Sequence, residues 1–274
     1  MVSERSEANQ RDESMYPVDN IAYQRFGLDH NPPLLILHGW GSSATLMAGL
    51  ATTLGEHFNV FCIDLPGHGK SPAPRKSMGI PEHADLVAEF IRRHMQEPVI
   101  VVGHSNGGRI SLYMAASKVY ASLFSQLVLI SPSGIKPKRG LIYYIKVSTA
   151  KLLKAPFVKL PEPLRSAGLR WVRGTFLWQL LGSSDYKAAT GVMREVFTET
   201  VSFFVDDVVQ DIGQRTLLIW GSDDTAISRH QINRLMEYVP EIQLVELEGA
   251  GHYGFLDQPG ETVKSIYDFL AVEA

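Results

Sequence analysis

Ser105 stands in Gly103-His104-Ser105-Asn106-Gly107-Gly108, directly after the apolar run Val99-Ile100-Val101-Val102 and before a helical stretch over 109–117. Glycine two positions either side of a serine suits a tight, strained strand-to-helix turn, where larger side chains would collide. Such a turn lifts the hydroxyl above a sheet, at a helix N-terminus whose dipole favours developing negative charge. A serine hydroxyl is a poor nucleophile until a base takes its proton. The candidate base is His252, in the loop Gly249-Ala250-Gly251-His252-Tyr253 that follows the strand-like run 243–247. The base in turn needs a carboxylate to hold its tautomer and to stabilise the imidazolium. Thr216-Leu217-Leu218-Ile219-Trp220 ends in Gly221-Ser222-Asp223-Asp224, which offers two adjacent carboxylates.

Acyl chemistry also needs donors for an oxyanion. Leu34-Leu35-Ile36-Leu37 leads into His38-Gly39-Trp40-Gly41-Ser42-Ser43, so the backbone N–H groups of Trp40 and Asn106 could converge from two loops. Each such donor is worth ~10²–10³ in rate when lost. Of the remaining histidines, His30, His57, His83, His94 and His230 are expected at the surface. No His/carboxylate or Cys cluster has ligand spacing, so neither a metal nor an organic cofactor is expected. The single cysteine, Cys62, lies in Asn59-Val60-Phe61-Cys62-Ile63 and reads as a buried, inert thiol.

These residues must be held by a frame. The apolar runs are continuous instead of alternating, as in strands buried on both faces of a parallel sheet. Leu86, Val87, Phe90, Ile91 and Met95 recur at helical spacing between two of them. Strand–helix–strand order predicts an α/β fold with a doubly wound, mostly parallel sheet, and ligands bind such sheets beyond the carboxyl ends of the strands. Four strand ends here carry the candidate residues. The alternation breaks over 134–213, which reads as an inserted helical cap. The core is then 17–133 and 214–274, with 1–16 as a disordered tail. From Gly134 to Arg173 the chain holds ten Lys or Arg and one acid, Glu162, a local balance of +9. This is read as a solvated basic face on a lid or as attraction for an anionic substrate or a lipid surface.

The chain has 274 residues, 45% hydrophobic and 20% charged, which fits a globular protein. Its net charge of −3 gives no global positive field for a polyanion, so nucleic acid is not an expected partner. The N-terminal residues contain no apolar h-region, and no run approaches the ~18–20 apolar residues of a membrane span. A cytoplasmic protein is expected.

On these motifs the chain resembles the α/β-hydrolase superfamily, and within it the cap-bearing serine hydrolases. The resemblance spans nearly everything after the tail. It rests on His38-Gly39-Trp40-Gly41, Asp64-Leu65-Pro66-Gly67-His68-Gly69-Lys70-Ser71, Gly103 to Gly108, Trp220-Gly221-Ser222-Asp223-Asp224 and Gly249-Ala250-Gly251-His252. The order Ser105, acid, His252 is the family order. The family's Trp-Gly motif places the acid on Asp224 over Asp223, and an alternative family position is held here by Ser131. The Asp64 to Ser71 loop resembles a structural turn and is assigned no chemistry. Epoxide hydrolases and dehalogenases carry Asp where this chain has Ser105. Proline iminopeptidases carry His-Gly-Gly-Pro-Gly where it has His38-Gly39-Trp40-Gly41. Meta-cleavage C–C hydrolases usually carry Asn where it has His104. Asn106 is a less usual neighbour of the serine than Met, Phe or Leu.

The resemblance implies a serine carboxylic-ester hydrolase working through an acyl-enzyme. Tyr143, Tyr144, Trp171, Phe176, Leu177 and Trp178 are expected to line the pocket from the cap and to favour an apolar acyl or aryl group. Expected partners are a small-molecule ester and weak contact with a membrane surface through the basic cap. The rivals are a C–C bond hydrolase using the same residues and a slow-turnover ligand receptor of the same fold.

Overall fold

The computed structural model describes residues 16–138, 140–174 and 184–271. The runs read from the sequence fall in strands β2 to β7 of a set comprising β1 Tyr23–Phe26, β2 Pro33–Leu37, β3 Asn59–Ile63, β4 Val99–His104, β5 Phe124–Ile130, β6 Thr216–Gly221 and β7 Ile242–Leu247. Among the described residues they form one sheet in the order β1-β3-β2-β4-β5-β6-β7. Every neighbouring pair is parallel except β1 with β3, where Tyr23 faces Ile63 and Phe26 faces Val60. β1 has no apolar run of its own and was not foreseen. Its side chains are half-buried or exposed, as suits a short edge strand.

The period of two along each strand divides the aliphatics between two layers. Leu35, Leu37, Phe61, Ile63, Val101, Leu127, Leu129 and Leu218 join the core under the helices Ile80–His94 and Asn106–Ala116. Leu34, Ile36, Val60, Cys62, Val102, Val128, Ile130 and Leu217 join the core under the helices Ala44–Leu54 and Pro259–Leu270. Fully burying one such side chain contributes ~1.5–3 kcal/mol. Cys62 is among them, and burial pushes its thiol pKa up, so it stays protonated and inert.

The helix Ile80–His94 starts where Glu82 accepts from the Gly79 N–H at 2.8 Å and ends on Arg92, Arg93 and His94, cations placed at the negative end of its dipole. Its buried face holds Ile80, Ala84, Val87 and Ile91. His83 lies on that face too and is buried, its Nδ1–H donating to the Gly79 carbonyl at 2.6 Å. This corrects the surface expectation for His83. The spacing to Ile80 and Val87 already put it on the apolar stripe.

Tyr16, assigned by sequence to the tail, is buried and its hydroxyl donates to the Asn20 carbonyl at 3.1 Å. The rest of the expected tail lies outside the described residues. Between β5 and β6 the described elements are helical: Leu141–Val158, Leu164–Gly174, Ser184–Ala188, Val192–Ser202 and a 3-10 turn at Val209–Asp211. Among the described residues no helix is long and apolar enough to cross a membrane.

Candidate active site

β4 ends at His104, and Ser105 turns the chain into the helix Asn106–Ala116 with φ 51 and ψ −108. Such a conformation costs a non-glycine residue ~1–3 kcal/mol and persists only where its surroundings enforce it. They do so here. The Ser105 N–H donates to the Ile130 carbonyl at 3.1 Å, and its own carbonyl accepts from the Ser133 N–H at 2.9 Å and the Arg109 N–H at 3.1 Å. A methyl group on Gly103 would lie 2.8 Å from the Gly108 Cα, and one on Gly107 would lie 2.1 Å from the Leu37 carbonyl oxygen. The flanking glycines are therefore required by close approach of backbone, as the sequence pattern implied.

The β2 loop meets this turn. Gly107 N–H donates to the His38 carbonyl at 3.1 Å, and a methyl on Gly39 would sit 3.0 Å from the Ser105 Cβ. Trp40 follows directly on the segment that adjoins the Ser105 turn, and Asn106 opens the helix after it. Among the described residues neither of their backbone N–H groups donates to a protein acceptor. The Trp40 indole is held edge-on between His68, with ring centroids 4.8 Å apart, and Phe197, at 5.0 Å.

His252 Nδ1 lies 2.9 Å from Asp224 Oδ2. A carboxylate only accepts, so Nδ1 carries the proton and Nε2 keeps its lone pair when the ring is neutral. Asp224 Oδ1 accepts from the N–H groups of Ala226 at 2.8 Å and Ile227 at 2.9 Å. Burial pushes the Asp224 carboxyl pKa up, but hydrogen bonds from His252 and Ile227 and the facing imidazole outweigh that, leaving it below the usual carboxylate range. Asp223 is exposed and its Oδ1 accepts only a long 3.4 Å bond from the Ser222 hydroxyl. The Trp220 indole N–H donates to the Ile227 carbonyl at 2.9 Å and fixes the acid's turn. A methyl on Gly221 would lie 2.2 Å from the Ala250 carbonyl oxygen, so the β6 end and the histidine loop touch through backbone.

The Asp64 turn is built as a brace. Asp64 accepts from the N–H groups of Ala44 at 2.6 Å and Lys70 at 2.9 Å, and the Ser71 hydroxyl donates to its carbonyl at 2.7 Å.

A cavity of ≈ 360 Å³ opens beside Ser105 and is walled by the core residues Trp40, Asn106 and Gln231 and by Phe197, Thr200 and Phe204 from the helical stretch. Trp171, expected here, is instead 67% exposed and meets Phe157 at a tilt of 54° with centroids 6.2 Å apart, between the helices Leu141–Val158 and Leu164–Gly174. The sequence showed aromatics across 134–213 but not which helix lines the cavity; among the described residues that helix is Val192–Ser202. The side chains of Tyr143 and Tyr144, and Phe176, Leu177 and Trp178 entirely, lie outside the described residues. Sequence reasoning missed Phe197, Thr200 and Arg109. Arg109 was legible as the residue one helical turn after Ser105. Among the described residues no group of three or more His, Cys, Asp or Glu could hold a metal ion.

A strained serine at a strand end, between a glycine-rich loop and an imidazole–carboxylate pair on the same rim of a parallel sheet, defines an α/β-hydrolase. The chain belongs to that family, whose alpha/beta hydrolase fold matches residues 32–259. It is 26% identical to monoacylglycerol lipase ABHD6 of Homo sapiens over 258 residues, covering 88% of this chain and 76% of the relative. It is 25% identical over 261 residues to the pimeloyl-[acyl-carrier protein] methyl ester esterase of Chromobacterium violaceum, covering 90% of this chain and 97% of that one. Among solved structures it is similar to a bacterial membrane phospholipase A, with a TM-score of 0.69 at 26% identity, over 92% of this chain and 82% of that one.

Proposed function

We propose that the protein is a serine hydrolase cleaving carboxylic esters of small to medium apolar acyl or aryl substrates through an acyl-enzyme. The observation that carries this is the strained Ser105 turn at the carboxyl end of β4 with the His252–Asp224 pair, 2.9 Å apart, held on the ends of β6 and β7. The ester-cleaving relatives support it.

In this reading His252 Nε2 takes the Ser105 proton as the hydroxyl oxygen attacks the ester carbonyl. The Trp40 and Asn106 N–H groups receive the oxyanion, aided by the positive end of the helix Asn106–Ala116. The imidazolium then protonates the departing alcohol, and the neutral ring draws a proton from water for deacylation. Asp224 orients the ring throughout and stabilises its charged form. Trp40, Phe197 and Phe204 supply the apolar wall of the cavity.

We further infer weak docking on anionic lipid surfaces. The helices Leu141–Val158 and Leu164–Gly174 expose Ile145, Leu152, Val158, Leu164 and Trp171 in the stretch whose charge balance is +9. Exposed apolar residues interleaved with cations suit the interface of an acidic bilayer.

The test is hydrolysis of a p-nitrophenyl ester series from acetyl to long acyl chains by the wild type and Ser105→Ala. Rapid turnover by the wild type with a ~10⁶-fold fall in the variant is expected from loss of the nucleophile. Turnover that survives Ser105→Ala, or a well-folded wild type inert on the whole series, would overturn the esterase reading and direct attention to C–C bond cleavage or slow-turnover ligand reception.

A further inference from the structure

Arg109 lies one turn along the helix from Ser105 and lines the same 360 Å³ cavity. It is 6% exposed. Its Nη1 donates to the Thr200 carbonyl, in the last turn of the helix Val192–Ser202. Its Nε is buried with no partner, and the buried Thr200 hydroxyl has none either. No carboxylate among the described residues pairs with the guanidinium: the ion pairs among those residues lie elsewhere. Asp185 also lines the cavity but makes no ion pair with Arg109. Burial lowers the guanidinium pKa to about 10, and the group stays cationic at neutral pH. A buried cation is strongly unfavourable unless a counter-charge arrives, and a carbonyl supplies only a dipole.

We propose that Arg109 and Thr200 form an oxyanion-binding subsite beside Ser105, which takes a carboxylate or phosphate carried by the ester substrate itself. With Nη1 taken by the Thr200 carbonyl, the Nε–Nη2 edge of the planar guanidinium and the neighbouring hydroxyl match the oxygens of such a group. The cavity then holds an ester whose far end is anionic, with Trp40, Phe197 and Phe204 covering the carbon chain between. The assignment of the scissile bond rests on the esterase reading above; the anion site does not.

Two measurements keep these apart. First, kcat/KM is compared for p-nitrophenyl butyrate and mono-p-nitrophenyl glutarate in the wild type, Arg109→Met and Arg109→Lys. The wild type is expected to favour the carboxylated ester. Arg109→Met is expected to lower the anionic-to-neutral ratio by roughly 10–100-fold, as for loss of a charged hydrogen-bonded pair, with Arg109→Lys restoring part of it. An equal fall on both esters would make Arg109 a strut to the Thr200 helix and overturn the proposal.

Second, thermal shifts are read with glutarate and with inorganic phosphate on the same three proteins. A rise in Tm in the wild type that Arg109→Met loses supports the subsite, and the effective anion tells carboxylate from phosphate. Equal shifts in all three, or none, would overturn it. Were the wild type to hydrolyse neither ester, the esterase reading would fall and this second measurement would still decide the subsite.

Discussion

His104 Nε2 lies 3.0 Å from the backbone carbonyl oxygen of His252, joining residues 148 positions apart. The residue before the strained serine thus holds the loop that carries the imidazole. The carbonyl only accepts, so Nε2 bears the proton, while Nδ1 is buried without a partner. Burial, reinforced by the neighbouring His252, lowers the His104 pKa to about 3, so the ring is neutral across physiological pH. Its ring centroid is 4.9 Å from that of His252 and 5.2 Å from that of Phe255. His104→Phe keeps the ring packing and removes the donor. It is expected to lower kcat by roughly 5–100-fold, the range for leaving a buried acceptor unsatisfied. Unchanged kcat in the folded variant would show that the bond serves the fold alone.

Asp224→Asn is expected to leave KM nearly unchanged and to lower kcat by ~10³–10⁴, because an amide holds the imidazole in the wrong tautomer. Asp223→Asn, at an exposed position beside it, should fall within about twofold of the wild type. Equal effects of the two substitutions on p-nitrophenyl ester hydrolysis would contradict the assignment of the acid.

Acid should weaken the fold before it protonates the carboxylates. Burial lowers the pKa of His38 to about 4, and it also lowers those of His68 and His83. In the fold His38 and His104 stay neutral where the unfolded chain protonates them, near the ordinary value of ~6.5, and His68 and His83 resist protonation more than they would unfolded. Protons bound by the unfolded state alone reduce stability, so their contribution is full above that pH and is lost as pH falls through it. His38 and His104 each contribute a slope of roughly 1–1.5 kcal/mol per pH unit, and His68 and His83 add to it in the same direction. Asp224, with its lowered pKa, keeps its contribution until pH drops below ~4. Urea midpoints at pH 7.5 and 5.5 check this, and identical midpoints would refute it.

Gly107→Ala should fail to give a cooperatively folded protein, since the new methyl would lie 2.1 Å from the Leu37 carbonyl oxygen. Gly41→Ala meets no atom within 4 Å and carries only the strain of its φ of 70, about 1 kcal/mol. Thermal melts of both variants test the contrast; comparable Tm values would show that the β2–β4 backbone approach is less rigid than described.

Docking through the helical hairpin should depend on charge. Co-sedimentation with phosphatidylserine-containing vesicles is expected to fall steeply as salt rises from 50 to 500 mM, as screening shortens to a few ångströms near ~1 M. Binding that ignores salt, or that is equal on neutral vesicles, would remove the basic stretch from the account.

The parallel strands, the serine turn and the histidine loop were legible because each is written in adjacent residues. Continuous aliphatic runs report two-sided burial, and glycines flanking Ser105 report a turn too tight for side chains. His83 was equally legible, at helical spacing from Ile80 and Val87, but a polar residue on an apolar stripe reads as surface unless the stripe is taken to override it. β1 was not legible, since an edge strand with half-exposed residues has no apolar signature.

What the sequence determined by itself was therefore the α/β order of the elements and the strand ends that carry Ser105, His252 and the Asp223-Asp224 pair, because local pattern sets both; the choice of Asp224 came from the family motif and from its 2.9 Å contact with His252. The tertiary structure alone decided which helix lines the cavity beside Ser105, that Trp171 faces outward while Phe197 faces the cavity, and that Arg109 is buried with no carboxylate partner among the described residues. Those outcomes depend on how helices far apart in the chain pack together. Burial and pairing are properties of that packing and not of any one segment.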